Sequence, residues 1–158
     1  MSQDLLPFIS VDQASVSNAQ ASSNSVSGLL AGTSVVRSDL DAQLLFIIPF
    51  KQPVRLTGIC LRGSDGEGPS ELKVFAGKST FAFDDVSSTP ATASFALSAA
   101  SAGKTLSFLA PGIKFPGAVT SVAIFVDSDG AETTALESLT LFGTLAAQGA
   151  DLSNLAAC

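Results

Sequence analysis

The sequence predicts an all-β fold, a single domain built as a jelly-roll-like β-sandwich. Apolar residues alternate with polar ones in roughly seven or eight short runs spaced about ten residues apart, and hardly any segment carries helical period. Glycine, proline and acidic residues close the runs. At 158 residues, folding of one such domain buries about two-thirds of the unfolded chain's surface, so neither a metal nor a disulfide is needed to hold it.

The elements follow in order. Asp4-Leu5-Leu6-Pro7-Phe8-Ile9 combines an acidic cap with bulky apolar residues, which predicts a docked amino-terminal segment anchored by Phe8 and Ile9. From Asp12 to Gly32 the composition turns to Ser, Asn, Ala and Gln, with Val16, Val26, Leu29 and Leu30 the only larger apolar residues. A long surface loop over 12–32, touching the core at those positions, is expected. Leu44 to Ile48 is apolar at both side-chain parities, so an extended segment there needs cover on both faces, as a central strand has. Pro49 has no N–H for a ladder, so this strand should end or bulge there and leave through Lys51-Gln52-Pro53. Val54 to Leu61 reads as a second strand, closed by the turn-forming run Arg62 to Pro69.

Glu71 to Ala76 alternates as a strand with one wet face does, and Asp84 to Pro90 reads as a break. Short strands are expected at Phe95 and Leu97 and at Leu106 and Phe108. Val119 to Val126 gives the second strongest β signal and should lie beside the first strand. A loop through Asp127-Ser128-Asp129-Gly130 then leads to a last strand over Leu136 to Phe142. The domain is expected to span 1–145. An Ala-rich tail over 146–158 holds a final turn near Asp151 to Leu155.

Composition narrows the chemistry. Acidic residues number 14 against 8 basic ones, for a net charge of −6, and the basic residues are spread singly from Arg37 to Lys114. No phosphate-binding patch arises, so nucleic acid is not an expected partner. Mean hydropathy is +0.43, but it comes from short apolar bursts, and no membrane insertion is expected. The amino terminus has no basic residue ahead of an apolar run, which predicts no secretory signal and a cytoplasmic or nuclear protein. Cys60 and Cys158 are accordingly expected as reduced thiols, with Cys60 a small buried residue. With no histidine in the chain, the usual serine and cysteine triads and the His-containing zinc sites are missing, so no enzyme activity, cofactor or metal is expected. Asp127-Ser128-Asp129-Gly130 resembles the middle of a calcium loop, but Phe125 and Leu136 fall where further ligands would be needed, which favours an acidic turn. No small-molecule substrate site is evident.

The residues most exposed to a protein partner are therefore the acidic loop groups and their neighbours: Asp39, Asp41, Arg62, Asp65, Glu67, Asp127, Asp129 and Glu132. A resemblance bears on what that partner is. Asp4-Leu5-Leu6-Pro7-Phe8-Ile9, Ser38 to Leu45, Phe50 to Leu56, Gly68-Pro69 before Lys73-Val74-Phe75, Val119 to Val126, Glu132-Thr133-Thr134 and Leu141-Phe142-Gly143-Thr144 together resemble the PITH domain. That family is found at the carboxyl end of thioredoxin-like proteins and also alone. The resemblance implies a sandwich similar to galactose-binding and discoidin-type domains, non-catalytic, with association to the proteasome regulatory particle. The chain has no C-x-x-C, so it looks like a stand-alone member without reductase activity. It departs from the family at Val16-Ser17-Asn18, where Cys-Leu-Asn is frequent, and in its tail, which has no basic residue. Two alternatives remain as expectations. One is a structural subunit of another large assembly, ciliary, axonemal or cytoskeletal, with its phenylalanines as contact surface. The other is a sugar- or lipid-headgroup-binding module, poorly equipped for want of Trp and Tyr.

Overall fold

The computed structural model describes residues 3–21, 25–64, 67–77, 80–97, 104–109, 113, 117–128 and 131–146. Its strands are β1 (Gln3–Asp4), β2 (Ser15–Ser17), β3 (Val36–Arg37), β4 (Leu44–Gly63), β5 (Glu71–Ala76), β6 (Ala93–Ala96), β7 (Thr105–Ser107), β8 (Val119–Asp127) and β9 (Ala135–Leu145). A 3-10 turn (Leu6–Phe8) and two six-residue helices, α1 (Val26–Ala31) and α2 (Phe83–Ser88), lie between them. Every strand pairing among the described residues is antiparallel.

The 20-residue β4 organises the rest. From Leu44 to Pro49 it lies between β2 and β8, and from Val54 to Gly63 it pairs with β9, with β7 on its other side at Gly58 to Cys60. Val54 stands opposite both Val119 and Leu145, and there the strand crosses from one layer to the other. One layer is β2-β4-β8-β5-β6; the second is β7-β4-β9 with β1 and β3 on the far side of β9. Leu44 is level with Val126 at the end of β8, and Gly63 with Leu136 at the start of β9. Since β9 follows β8 directly, β4 begins and finishes at the same end of the sandwich.

Pro49 sits where expected, at a register shift, because it cannot donate to the ladder. The backbone nevertheless stays extended through Lys51 to Pro53, so the two strands expected at 44–48 and 54–61 are one bent strand. Cover on both faces is also present. Leu44, Phe46 and Ile48 join Val122, Ile124 and Val126 and, from the second layer, Leu56, Ile59, Leu139 and Leu141 in the core between the layers. Leu45, Ala123 and Phe125 point the other way, into a smaller cluster with Phe75 and Val86 that Phe81 and Phe83 cover. Phe81 stacks on Phe75 with ring centroids 4.6 Å apart, and Phe83 meets Phe125 edge-on at 6.4 Å. Gly143 is required where β9 runs tight against β4: a Cβ there would run into the carbonyl oxygen of Arg55.

Several expectations need correction. The stretch 12–32 is not all loop. It contains β2 and α1, and α1 is only six residues long, too short to display period. Ser25 Oγ caps it by accepting from the Gly28 N–H at 3.0 Å, and Gly32 ends it with φ of 77°. Its buried residues are Val26, Leu29 and Leu30, the apolar positions foreseen as touching the core. The break expected over Asp84 to Pro90 is largely α2, where the Asp85 carboxylate accepts from the Ala82 N–H at 2.9 Å. At the amino terminus the anchors are Leu5 and Ile9, while Phe8 is half-buried. Leu97 and Phe108 fall just outside β6 and β7. Cys60 is half-buried rather than enclosed. The turn expected near Asp151 to Leu155, and Cys158, lie outside the described residues.

Candidate partner-binding loops

Because β4 returns to its starting end, the connections around it converge there. Residues 38–43, 67–70 and 131–134 meet, with residues 18–20 against the first of them. The Ser38 N–H donates to Thr134 O at 2.8 Å, the Ala135 N–H to Glu67 O at 2.8 Å, and the Asp39 N–H to Asn18 O at 2.8 Å. Gly63 allows the close crossing that follows β4, since a Cβ there would strike the Cα of Gly68.

A knot of buried hydroxyls ties these loops together. Ser38, Ser128 and Thr134 are all buried. Thr134 donates its N–H to Ser38 Oγ at 2.8 Å and its hydroxyl to Ala42 O at 2.5 Å. The Ser128 hydroxyl lies 3.0 Å from Gly68 O and 2.7 Å from Thr134 Oγ1. Two hydroxyl protons thus serve three short contacts. Thr134 donates to Ala42 O and Ser128 to Gly68 O, with the two hydroxyl oxygens in close contact between them.

Two further clamps lie nearer the surface. Arg37 grips Glu67 with both arms, Nη2 to Oε1 at 2.8 Å and Nε to Oε2 at 3.3 Å, and the Thr133 hydroxyl donates to the same carboxylate at 2.9 Å. Donation by Arg37 and then by Thr133 holds the Glu67 carboxyl below the usual glutamate range. Asn18, in the left-handed region at φ of 71°, donates from Nδ2 to Asp41 Oδ1 at 2.8 Å and to Gln43 O at 2.7 Å. Its Oδ1 accepts from the Leu40 N–H at 3.1 Å. Beside this end an open hollow of about 470 Å³ is lined by Ser70, Glu71, Ser94, Phe95, Ala96 and Asp127. Among the described residues no cluster of His, Cys, Asp and Glu has the makings of a metal site. No helix there is long and apolar enough to cross a membrane. Burial pushes the Cys60 thiol up, with Arg62 opposing it, so Cys60 is not an activated nucleophile.

A family profile described as the PITH domain matches residues 1–157. The chain belongs to the PITH domain family. A PITH domain-containing protein of Caenorhabditis elegans is 45% identical over 53 residues, covering 33% of this chain and 26% of that protein. The human PITH domain-containing protein 1 is 41% identical over 56 residues, 35% of this chain and 26% of that protein. These matches therefore span about a quarter of the relatives' length. Among solved structures, the family 32 carbohydrate-binding module of Clostridium perfringens NanJ, in complex with galactose, aligns with a TM-score of 0.66 at 8% identity, over 90% of this chain and 99% of that one. A fucolectin from striped bass serum aligns with a TM-score of 0.57 at 13% identity, over 90% of this chain and 48% of that one. At such identities the likeness shows the fold alone, a β-sandwich of the kind those two structures have. Family membership supports a protein-interaction module in general.

Within this PITH domain the predicted contact residues divide. Asp39, Asp41 and Glu132 are exposed at the shared loop end, and Arg62 is exposed on the last turn of β4 toward it. Asp41, however, also accepts from Asn18 and from the Gln43 N–H, and Glu67 is taken up by Arg37 and Thr133. Asp127 is half-buried, accepting from the Ser128 N–H at 2.8 Å and from Gln43 Nε2 at 3.4 Å. Asp65 and Asp129 lie outside the described residues. The residues sequence reasoning missed are those that build the end: Asn18, Arg37, Ser38, Ser128, Thr133 and Thr134. Asn18 carried one signal, since asparagine is among the few side chains that tolerate a left-handed backbone.

Proposed function

We propose that this PITH domain is a non-catalytic docking module for a large assembly, the proteasome regulatory particle, and that its loop end is the contact face. The observation that carries the reading is the combination of a preformed loop end with outward carboxylates: buried hydroxyls fix the loops, while Asp39 and Glu132 stay exposed. Rigid loops bind without a large ordering cost, and the acidic face selects a basic one. Such a partner implies a cytoplasmic or nuclear protein.

The direct experiment mixes the purified full chain with purified regulatory particle at moderate salt and measures co-sedimentation. Near-stoichiometric association is expected, and Asp39→Lys with Glu132→Lys should weaken it severalfold. No association of the wild-type chain would contradict the proteasome assignment; association indifferent to both reversals would contradict the choice of face.

The hollow gives specific support to a second reading. The Phe95 ring beside Ser70, Ser94, Glu71 and Asp127 combines an apolar platform with hydrogen-bonding groups, the chemistry a sugar ring needs. A glycan array that includes galactose tests it, and a blank array would dispose of it. Among the described residues no phenylalanine is fully exposed, so the phenylalanines lend less support to the reading as a structural subunit than their number alone suggests.

A further inference from the structure

Leu40 is a side chain that the fold does not use. It is 88% exposed, and the only other large apolar side chain left exposed among the described residues is Leu109 at 73%. A single exposed leucine is ordinary on a protein surface. What is not ordinary is how firmly the backbone beneath this one is held.

Asn18 bonds the loop on both sides of Leu40. It accepts the N–H of Leu40 at 3.1 Å and that of Asp39 at 2.8 Å, and it donates to Asp41 Oδ1 at 2.8 Å and Gln43 O at 2.7 Å. It does so from a left-handed conformation, which costs an asparagine less than other side chains but is still unfavourable. The flanking residues Ser38 and Ala42 are buried and fastened to Thr134. The apex alone faces out, with Leu40 between the exposed Asp39 and Asp41. Leu109 lies just beyond β7, where the Phe108 N–H donates to Thr57 O at 2.9 Å and the Leu109 N–H to Ser107 Oγ at 3.0 Å, and no carboxylate adjoins it in the sequence as Asp39 and Asp41 adjoin Leu40.

We infer that Leu40 is an anchor residue, inserted by this rigid loop into an apolar pocket of a partner protein whose rim carries lysine or arginine facing Asp39 and Asp41. The ordering cost of the loop is met during folding, so burying the leucine adds to affinity without being offset by loss of backbone freedom. The two flanking carboxylates and the net charge of −6 oppose acidic rims and favour basic ones. This inference rests on the reading of the domain as an interaction module, but not on the partner being the regulatory particle.

The test places a photo-crosslinking residue, p-benzoylphenylalanine, at position 40 of the full chain in its own cells, and separately at position 109. Each adduct is mapped to a residue of the captured protein. Co-purification of that protein is then compared for the wild type, Leu40→Met, Leu40→Asp and Leu109→Asp, with melting temperatures measured alongside. The expected result is an adduct from position 40 inside an apolar pocket bordered by Lys or Arg, at least about tenfold loss of that protein with Leu40→Asp, and near wild-type yield with Leu40→Met and Leu109→Asp. No adduct at position 40, an adduct on a flat or acidic surface, or unchanged co-purification with Leu40→Asp would overturn it. If the pocket belongs to a protein other than a regulatory-particle subunit, the proteasome assignment falls and the anchor stands. If the adduct lies on a regulatory-particle subunit and the particle co-purifies equally with Leu40→Asp, the anchor falls and the assignment stands.

Discussion

Along β4 and β8 the buried side chains are mostly apolar: Leu44, Phe46 and Ile48 are enclosed with Val122, Ile124 and Val126 on one face, and Leu45 with Phe125 on the other, with Ser121 the exception. At the loop end a few ångströms further on, the buried atoms are oxygen, those of Ser38, Ser128 and Thr134. The strands are held by removal of apolar surface from water, which is strong and tolerant of small shifts. The loop end is held by hydrogen bonds whose partners must each be present, because a buried hydroxyl or carbonyl left alone is costly. The first region makes the domain stable; the second fixes the shape of the face proposed as the contact.

Substitutions should separate these two regimes. Phe46→Ala, which empties a fully buried position between the layers, is expected to cost about 3–5 kcal/mol, with denaturant unfolding as the readout. Thr134→Val keeps the shape but strips the hydroxyl from Ala42 O and Ser128, and should cost about 1–3 kcal/mol. Its distinguishing mark is local: amide exchange should accelerate at 38–43 and 131–134 more than in β8. Equal acceleration in both regions would mean that the knot and the core are one unit.

The smallest effect is expected at Glu67→Gln, since both side chains of its ion pair with Arg37 are about one-third exposed, at 30% and 37%, and solvent screens them. A loss below about 1 kcal/mol at neutral pH is expected. Its pH dependence follows from the lowered carboxyl. The folded chain binds the Glu67 proton less tightly than the unfolded chain, so the contribution is complete above the ordinary glutamate range and fades as pH falls through it. It is gone once the folded carboxyl is protonated. Urea titrations of wild type and Glu67→Gln should therefore differ at pH 7 and converge in strong acid; a gap that persists there would assign the effect to packing instead.

The same contrast explains what could be read in advance. The continuous apolar run at Leu44 to Ile48, the alternation at Glu71 to Ala76 and the apolar stretch at Val119 to Val126 announced the strands because burial acts on each residue by its position along the chain. The family resemblance supplied the arrangement of those strands, which periodicity alone does not contain. The short helices α1 and α2 were hidden because six residues make less than two turns. Acidic loops at Asp39, Asp41, Glu67 and Glu132 were visible as turn chemistry, but their convergence depended on β4 doubling back at Pro49 to Val54. The clamps were least visible: Thr134 meets Ser38 across 96 positions, and Asn18 meets Gln43 across 25. Isolated Ser, Thr and Asn residues in loops carry no sign of which distant backbone they serve.

The most direct test of the central claim, that the hydrogen-bonded loop end is the surface offered to a partner, is hydrogen–deuterium exchange of the full chain with and without purified regulatory particle. Protection concentrated at 38–43, 67–70 and 131–134, with β6 and the outer face of α2 unchanged, is the predicted result. Protection confined to β6 or α2, with those loops exchanging as in the free chain, would contradict it.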